Sequence, residues 1–225
     1  MRGRWWGVAL LIGTVAASPV AGQGLADYDY ENLSFRGFGL DMGGIWPNKV
    51  DNAGMYSLRI DLGYLGPGIR LMPSLSYWSS KMKRAEIDRL AERLEDLPPI
   101  ADAGVEIDAN DFGEIEWSDL ALNLDLHVVW TTPVDIYTYV GVGLGVHVLN
   151  GRGGAIEGTF IEDLLDSTNA GVAAMAGLEY DVSPVIRLFG EARYVLASEF
   201  RFPAARIGFA FMLPGASEAY SGTGQ

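Results

Sequence analysis

The chain has no cysteine, only two histidines and only three lysines in 225 residues. Without cysteine there can be no disulfide, thiolate metal site, cysteine nucleophile or lipid-bearing cysteine anchor. Two histidines alone are a poor basis for a zinc site, and no metal or cofactor is expected. Beyond the first two dozen residues no apolar run approaches the ~20 needed for a membrane-spanning helix. Positive charge is scarce as well, with 16 Lys and Arg against 29 Asp and Glu.

The N-terminus, "MRGRWWGVALLIGTVAASPVAGQG", sets two arginines before an apolar stretch and then small residues with a proline. This is the order of a secretory signal peptide, read here as residues 1–22. Its removal takes Arg2 and Arg4, leaving 14 bases against 29 acids, a net charge of −15. Nucleic-acid binding rests on neutralising phosphates, so a nucleic-acid partner is excluded on charge.

What the chain does have is alternation. Eight segments carry apolar residues at every second position: 33–46, 54–65, 68–79, 117–131, 135–149, 169–182, 184–198 and 203–213. A period of two marks a half-buried strand. Most are 12–15 residues long, against ~5–6 for an average globular strand and ~9–11 for a tilted membrane crossing. Tight proline-bearing turns, "LGPG", "TTPVD" and "VSPV", alternate with mostly longer connections. Short turns on one rim and loops on the other is the asymmetry of a transmembrane barrel.

In "LALNLDLHVVW", 120–130, one face is hydrocarbon and the other carries Asn123, Asp125 and His127. The lysines decide which face is wet. Lys49, Lys81 and Lys83 all fall in expected loops, whereas a solvent-facing wall would carry many. The polar face therefore points inward. It holds five bases, Arg59, Arg70, Arg187, Arg193 and Arg206, and six acids, Asp41, Asp61, Asp125, Glu179, Asp181 and Glu191. So even a set predicts mutual pairing, since an unpaired buried charge costs several kcal/mol. The turn geometry places Glu179 beside Arg187 and Arg70 diagonal to Asp61. On the apolar face, Tyr64, Trp130, Tyr180 and Phe211 fall near the turn end, with Trp46, Tyr56 and Tyr77 near the loop end. These are expected to form two aromatic girdles.

With eight long strands in this layout, residues 33–213 resemble the small outer-membrane β-barrels of Gram-negative bacteria, the group of the OmpA transmembrane domain, OmpX and OmpW-like proteins. The resemblance implies an all-β, eight-stranded antiparallel up-and-down barrel in the bacterial outer membrane. It also implies contact with outer-membrane lipid and recognition by the barrel-insertion machinery. Such barrels end on an aromatic residue, whereas here Phe211 is followed by "MLPGASEAYSGTGQ". Around the barrel, 23–32 is read as a periplasmic segment and 214–225 as a tail.

The glycine runs "RGFGLDMGG" and "GVGLGVH" lack the strand, turn and helix setting of a phosphate loop. Gly37, Gly39 and Gly43 are instead expected to face Gly141, Gly143 and Gly145 across the barrel, leaving room for charged side chains from the strands between. Neither His127 nor His147 is followed two residues on by serine, as in the lipid A deacylase pattern, and both are expected to face the lumen, where His127 reads as a buried hydrogen-bonding partner. In loop 80–116, a helix at about 81–97 puts Ile87, Leu90, Ala91, Leu94 and Leu97 on one stripe, over the barrel mouth or against other loops. The following "ADAGVEIDANDFGEIEWSD" is acidic, but Phe112 breaks the calcium-loop spacing.

The reading is a monomeric, non-enzymatic outer-membrane barrel with a structural, adhesive or envelope-stabilising role. Its lumen is plugged by paired charges, and loop 80–116 is a solvated cap, with a surface for an extracellular partner as the alternative. The alternatives are a narrow pore or OmpW-like transporter of small molecules, and a lipid-modifying barrel enzyme.

Overall fold

The computed structural model describes residues 28–98, 102 and 107–214. The expected signal peptide, the start of the periplasmic segment, part of the acidic loop and the tail beyond Pro214 lie outside the described residues. Nine strands follow in order: β1 (Gly37–Ile45), β2 (Ala53–Asp61), β3 (Tyr64–Gly66), β4 (Ile69–Lys81), β5 (Glu116–Thr131), β6 (Ile136–Arg152), β7 (Ser167–Ser183), β8 (Ile186–Ala197) and β9 (Arg201–Met212). Helix α1 (Arg84–Glu95) lies between β4 and β5, and α2 (Phe160–Leu165) between β6 and β7. Every pairing is antiparallel. The order β2-β1-β9-β8-β7-β6-β5-β4-β3 closes on itself through β2–β4, so β2 and β3 together form one of eight staves.

The break inside that stave is local chemistry. The Asp61 carboxylate accepts from Gly63 N–H at 2.8 Å, and Gly63 takes φ +80°, open to glycine but costly for other residues. Leu62 and Gly63 both hydrogen-bond Leu71, so two residues oppose one and the inside–outside phase flips.

Strand tilt follows from the register. From Gly43, one row of partners runs through Met55, Trp78 and Asp119 to Leu149; the opposite way runs through Arg206, Glu191 and Gly177 to Tyr139. The two paths reach β6 ten residues apart. With ~3.3 Å per residue and ~4.8 Å between strands, that stagger over eight staves tilts the strands by about 40°.

The alternation holds along the wall. On β5, Leu120, Leu122, Leu124, Leu126, Val128 and Trp130 are exposed, while Asn123, Asp125 and His127 are buried. Outward charges on the strands occur only at the loop-side ends, at Lys81, Glu116, Arg152 and Arg201. From Leu120 to Trp130 the uncharged band measures about 33 Å along the strand, or about 25 Å of height at that tilt, which is the apolar height of a bilayer-spanning barrel.

At the loop end the interior turns apolar. Trp78, Trp117, Phe200 and Phe202 pack there with Leu149, Ile115 and Ile156. Phe200 meets Trp78 at 6.0 Å and Trp117 at 6.1 Å between ring centres. Helix α1 seals this cluster with Ile87, Leu90, Ala91 and Leu94. Leu97, expected on the same stripe, is exposed instead, because the helix ends at Glu95 and Asp96 caps it. Leu165 of α2 covers Gly151, and its carbonyl accepts from the Trp117 indole at 3.1 Å.

Candidate functional site

The polar inner face converges on a few carboxylates. Glu191 on β8 accepts from Arg206 at 2.5 and 2.9 Å and from the Tyr139 hydroxyl at 2.7 Å; Arg59 and Arg193 approach to 3.6 Å. Asp41 on β1 binds Arg59 at 3.2 Å and also contacts Ser57 and, at 3.6 Å, Arg206. Asp125 on β5 pairs with Arg193 on β8, three staves away. Arginine suits this work because one planar fork bonds two partners at once.

Toward the turn end a second group forms. The Arg70 fork spans the lumen to Glu179 at 2.5 and 2.8 Å, lies 3.8 Å from Asp61, and has His127 at 3.3 Å. Arg187 holds Asp181 at 2.5 and 3.1 Å and reaches Glu179 at 3.2 Å. All eleven charges named from the sequence thus lie in one connected interior, and both expected contacts are present, Glu179 with Arg187 at 3.2 Å and Arg70 near Asp61 at 3.8 Å, each beside a closer partner that was not foreseen. Arg187 is opposite Asp181 and Glu179 opposite Phe189, because a register shift between Asp181 and Ser183 displaces β7 against β8. Arg70 bonds chiefly to Glu179; Asp61 is the more distant neighbour.

Three participants, Asp119, Tyr139 and Arg36, were not singled out in the sequence, and a fourth, His147, was read only as facing the lumen, where it is buried. Asp119 accepts from His147 at 2.8 Å and from the Trp78 indole at 3.1 Å. It lies in inward phase with Asp125, and the alternation of β5 alone would have found it. Tyr139 stacks on His127 at 4.4 Å, and Arg36 lies just before β1. His147 also meets the edge of Phe200 at 5.1 Å.

The girdle residues divide. Trp46, Tyr56, Tyr77, Trp130, Tyr180 and Phe211 are exposed on the outer wall. Tyr64 is not: it pairs with inward Arg70, packs with Val129 and Tyr139, and lies 4.9 Å beneath the Arg36 guanidinium. The phase flip at Gly63 put it inside.

The strands that carry the inward glycines, β1 and β6, stand four staves apart either way round the barrel. Those of β6 lie beneath large side chains of the adjoining strand. Asn123, Asp125 and His127 of β5 lie over Gly145, Gly143 and Gly141 of β6, and Tyr139 lies over Gly177. An added methyl at Gly177 would overlap the Tyr139 ring and stand 2.7 Å from the Gly190 carbonyl. Gly177→Ala is expected to destabilise the barrel by ~1–3 kcal/mol. Gly190→Ala, with nothing within 4 Å, should be near neutral in the same urea titration; equal costs would refute this account of the ladder.

Little space remains. The lumen cavity between Arg59, Arg70, Glu179 and Arg187 measures about 10 Å³, no more than one water requires. A concavity of about 970 Å³ lies at the loop-side rim, where Lys81, Glu114, Glu116, Arg152 and Glu162 surround it. Among the described residues no group of carboxylates and imidazoles is arranged to hold a metal ion.

The closed stave order, the stagger and the charge-filled lumen define a small eight-stranded antiparallel barrel of the outer-membrane type. Among solved structures the chain is similar to Neisserial surface protein A, with 15% identity, 79% of this chain and 97% of that chain covered, and a TM-score of 0.52. It is also similar to the N-terminal barrel domain of Pseudomonas aeruginosa OprF, with 15% identity, 78% and 97% coverage and a TM-score of 0.44. Ail of Yersinia pestis in complex with the heparin analogue sucrose octasulfate gives 8% identity, 80% and 99% coverage and a TM-score of 0.48. At these identities the likeness is one of fold. The sequence matches no family model and no curated protein.

Proposed function

We propose that the chain is exported to the outer membrane of a Gram-negative bacterium, where it serves as a non-enzymatic barrel with a structural or adhesive role. The observation that carries this reading is the lumen: a cavity of about 10 Å³ among ion-paired arginines offers no route to a hydrated ion or a metabolite. The uncharged outer band of about 25 Å fits a bilayer, and the closed ring of hydrogen-bonded neighbours leaves no unpaired seam for lateral exit.

Catalysis has little support. His147 and Asp119 form half of an acid–base relay, but both are buried beneath the apolar cap. Among the described residues neither imidazole hydrogen-bonds a hydroxyl that could serve as nucleophile.

What the barrel offers its surroundings is the loop side. The outer connections 46–52, 82–115, 153–166 and 198–200 carry 16 acids and 5 bases, so most of the net charge resides there. Such a surface favours cationic partners, or anionic ones bridged by divalent ions, and repels sulfated polyanions of the kind bound to Ail.

Fractionation tests the location. The full chain is expected in the outer membrane, migrating differently on gels before and after heating; recovery in the soluble periplasmic fraction overturns the proposal. In planar bilayers the wild-type protein should give no steady current, and Arg187→Ala with Glu191→Ala should raise the frequency of openings. A wild type that conducts continuously would refute the plug.

A further inference from the structure

The lumen holds two groups of charge, one gathered on Glu191 and one on Glu179. Among the described residues no ion pair joins the first group to the second. Where they approach lies the small cavity of about 10 Å³, lined by Arg59 of the Glu191 group and by Arg70, Asp61 and Glu179 of the other.

Both arginines bring hydrogens to this place that no protein atom receives. Arg59 is 2% exposed, and its Nη1 and Nη2 are buried without a hydrogen-bond partner; Arg70 is 1% exposed, and its Nε is in the same position. Two of the ion pairs here are also stretched. Arg59 Nη2 stands 3.6 Å from Glu191, and Arg70 Nη1 stands 3.8 Å from Asp61. Those distances are too long for a hydrogen bond, and polar groups held so far apart are commonly bridged by water. The remaining walls are apolar, with the Phe189 ring 3.7 Å beneath the Arg59 guanidinium and Met72 and Ala210 beside it. The polar groups therefore converge on one small volume. That volume suits a single water, which needs about 10–15 Å³ and two to four polar partners; a chloride ion is larger than a water and would have to push the walls apart.

We propose that this cavity binds one ordered water, which accepts from the Arg59 Nη and Arg70 Nε hydrogens and donates to the carboxylates of Asp61 and Glu179. The water is then the hydrogen-bonded link between the two charge groups, and it gives partners to donors that the protein leaves over. A single enclosed molecule opens no path along the lumen. The site belongs to the closed barrel itself and does not depend on which membrane surrounds it.

The test uses the full chain, labelled with nitrogen-15 at arginine and refolded in phosphocholine micelles. Rotating-frame NMR distinguishes dipolar contact with water from hydrogen exchange by the sign of the cross-peak. The Arg70 Nε–H and Arg59 Nη–H signals should each show a cross-peak of dipolar sign at the water frequency. Ala210→Val, which thickens the cavity wall from β9, should abolish both while the heat-dependent gel shift shows the barrel folded. Met72→Phe fills the same space from β4 and gives a second reading should Ala210→Val not fold. A parent protein without dipolar cross-peaks overturns the proposal, as do cross-peaks that persist unchanged in a folded, filled variant. Arginine signals that move with chloride concentration at constant ionic strength overturn it equally, by assigning the cavity to an anion.

Discussion

Glu191→Ala lowers the stability of the folded barrel by about 3–5 kcal/mol, the penalty for leaving buried charge without its partner. Urea titration in phospholipid vesicles, followed by tryptophan fluorescence and gel mobility, is the measurement. Three arginines lean on this carboxylate. With it gone, Arg59 and Arg206 share Asp41, and Arg193 keeps only Asp125 among nearby acids. The Tyr139 hydroxyl loses its acceptor as well. Glu191→Gln should fall between, since the amide still accepts from Tyr139 while the charge is lost. Glu162→Ala, on the short outer helix, should cost within about 0.5 kcal/mol. If Glu191→Ala costs no more than that control, the network is not what fills and fixes the lumen. Conversely, Glu191→Leu, which removes the charge but keeps volume, still strands the arginines and should not rescue.

Leu144→Arg has the second large effect, about 2–4 kcal/mol of destabilisation in vesicles. Leu144 is 66% exposed, lies between Leu124 and Val172 of the adjoining strands, and sits near the middle of the apolar band. In water an arginine there would be harmless or helpful. In hydrocarbon it must snorkel toward a headgroup or drag water inward. Leu97→Arg, on the loop side, serves as the comparison and should be close to neutral. Equal small effects at both positions would mean that solvent, not lipid, bathes the wall, and the membrane reading would fail with them.

Which side of each strand faces inward was legible from residues alone. Period-two alternation carries that information locally, and the scarcity of lysine along the walls resolved its sign, although Lys81, read as a loop residue, is the loop-side end of β4. Which residues touch was legible only in part: Glu179 meets Arg187 and Arg70 approaches Asp61 as read, but the closer partners of both arginines were not. Cross-strand partners depend on register, and register depends on irregularities such as the shift between Asp181 and Ser183, which no alternation reveals. Tyr64 shows the cost of one such irregularity: a single left-handed glycine moved it from the outer wall to the lumen. The apolar cap was only half visible. The stripe on α1 was plain, but its destination depended on Trp78 and Trp117 lying in inward phase near the loop end, where the polar pattern gives way to rings. The glycines were recognised as makers of space for side chains of the strands between, while which side chain lies over which glycine, as Asp125 over Gly143, needs the ladder itself.

The first and last strands are neighbours, paired residue by residue from Gly37 with Met212 to Ile45 with Ala204. No shorter portion of the chain can therefore complete the ring. A polypeptide made amino-terminus first must carry β1 with one ladder of amides and carbonyls unmet until β9, the last of the nine strands described, is delivered. For all that interval β1 presents an open edge on which another chain can pair, a hazard that the finished ring abolishes.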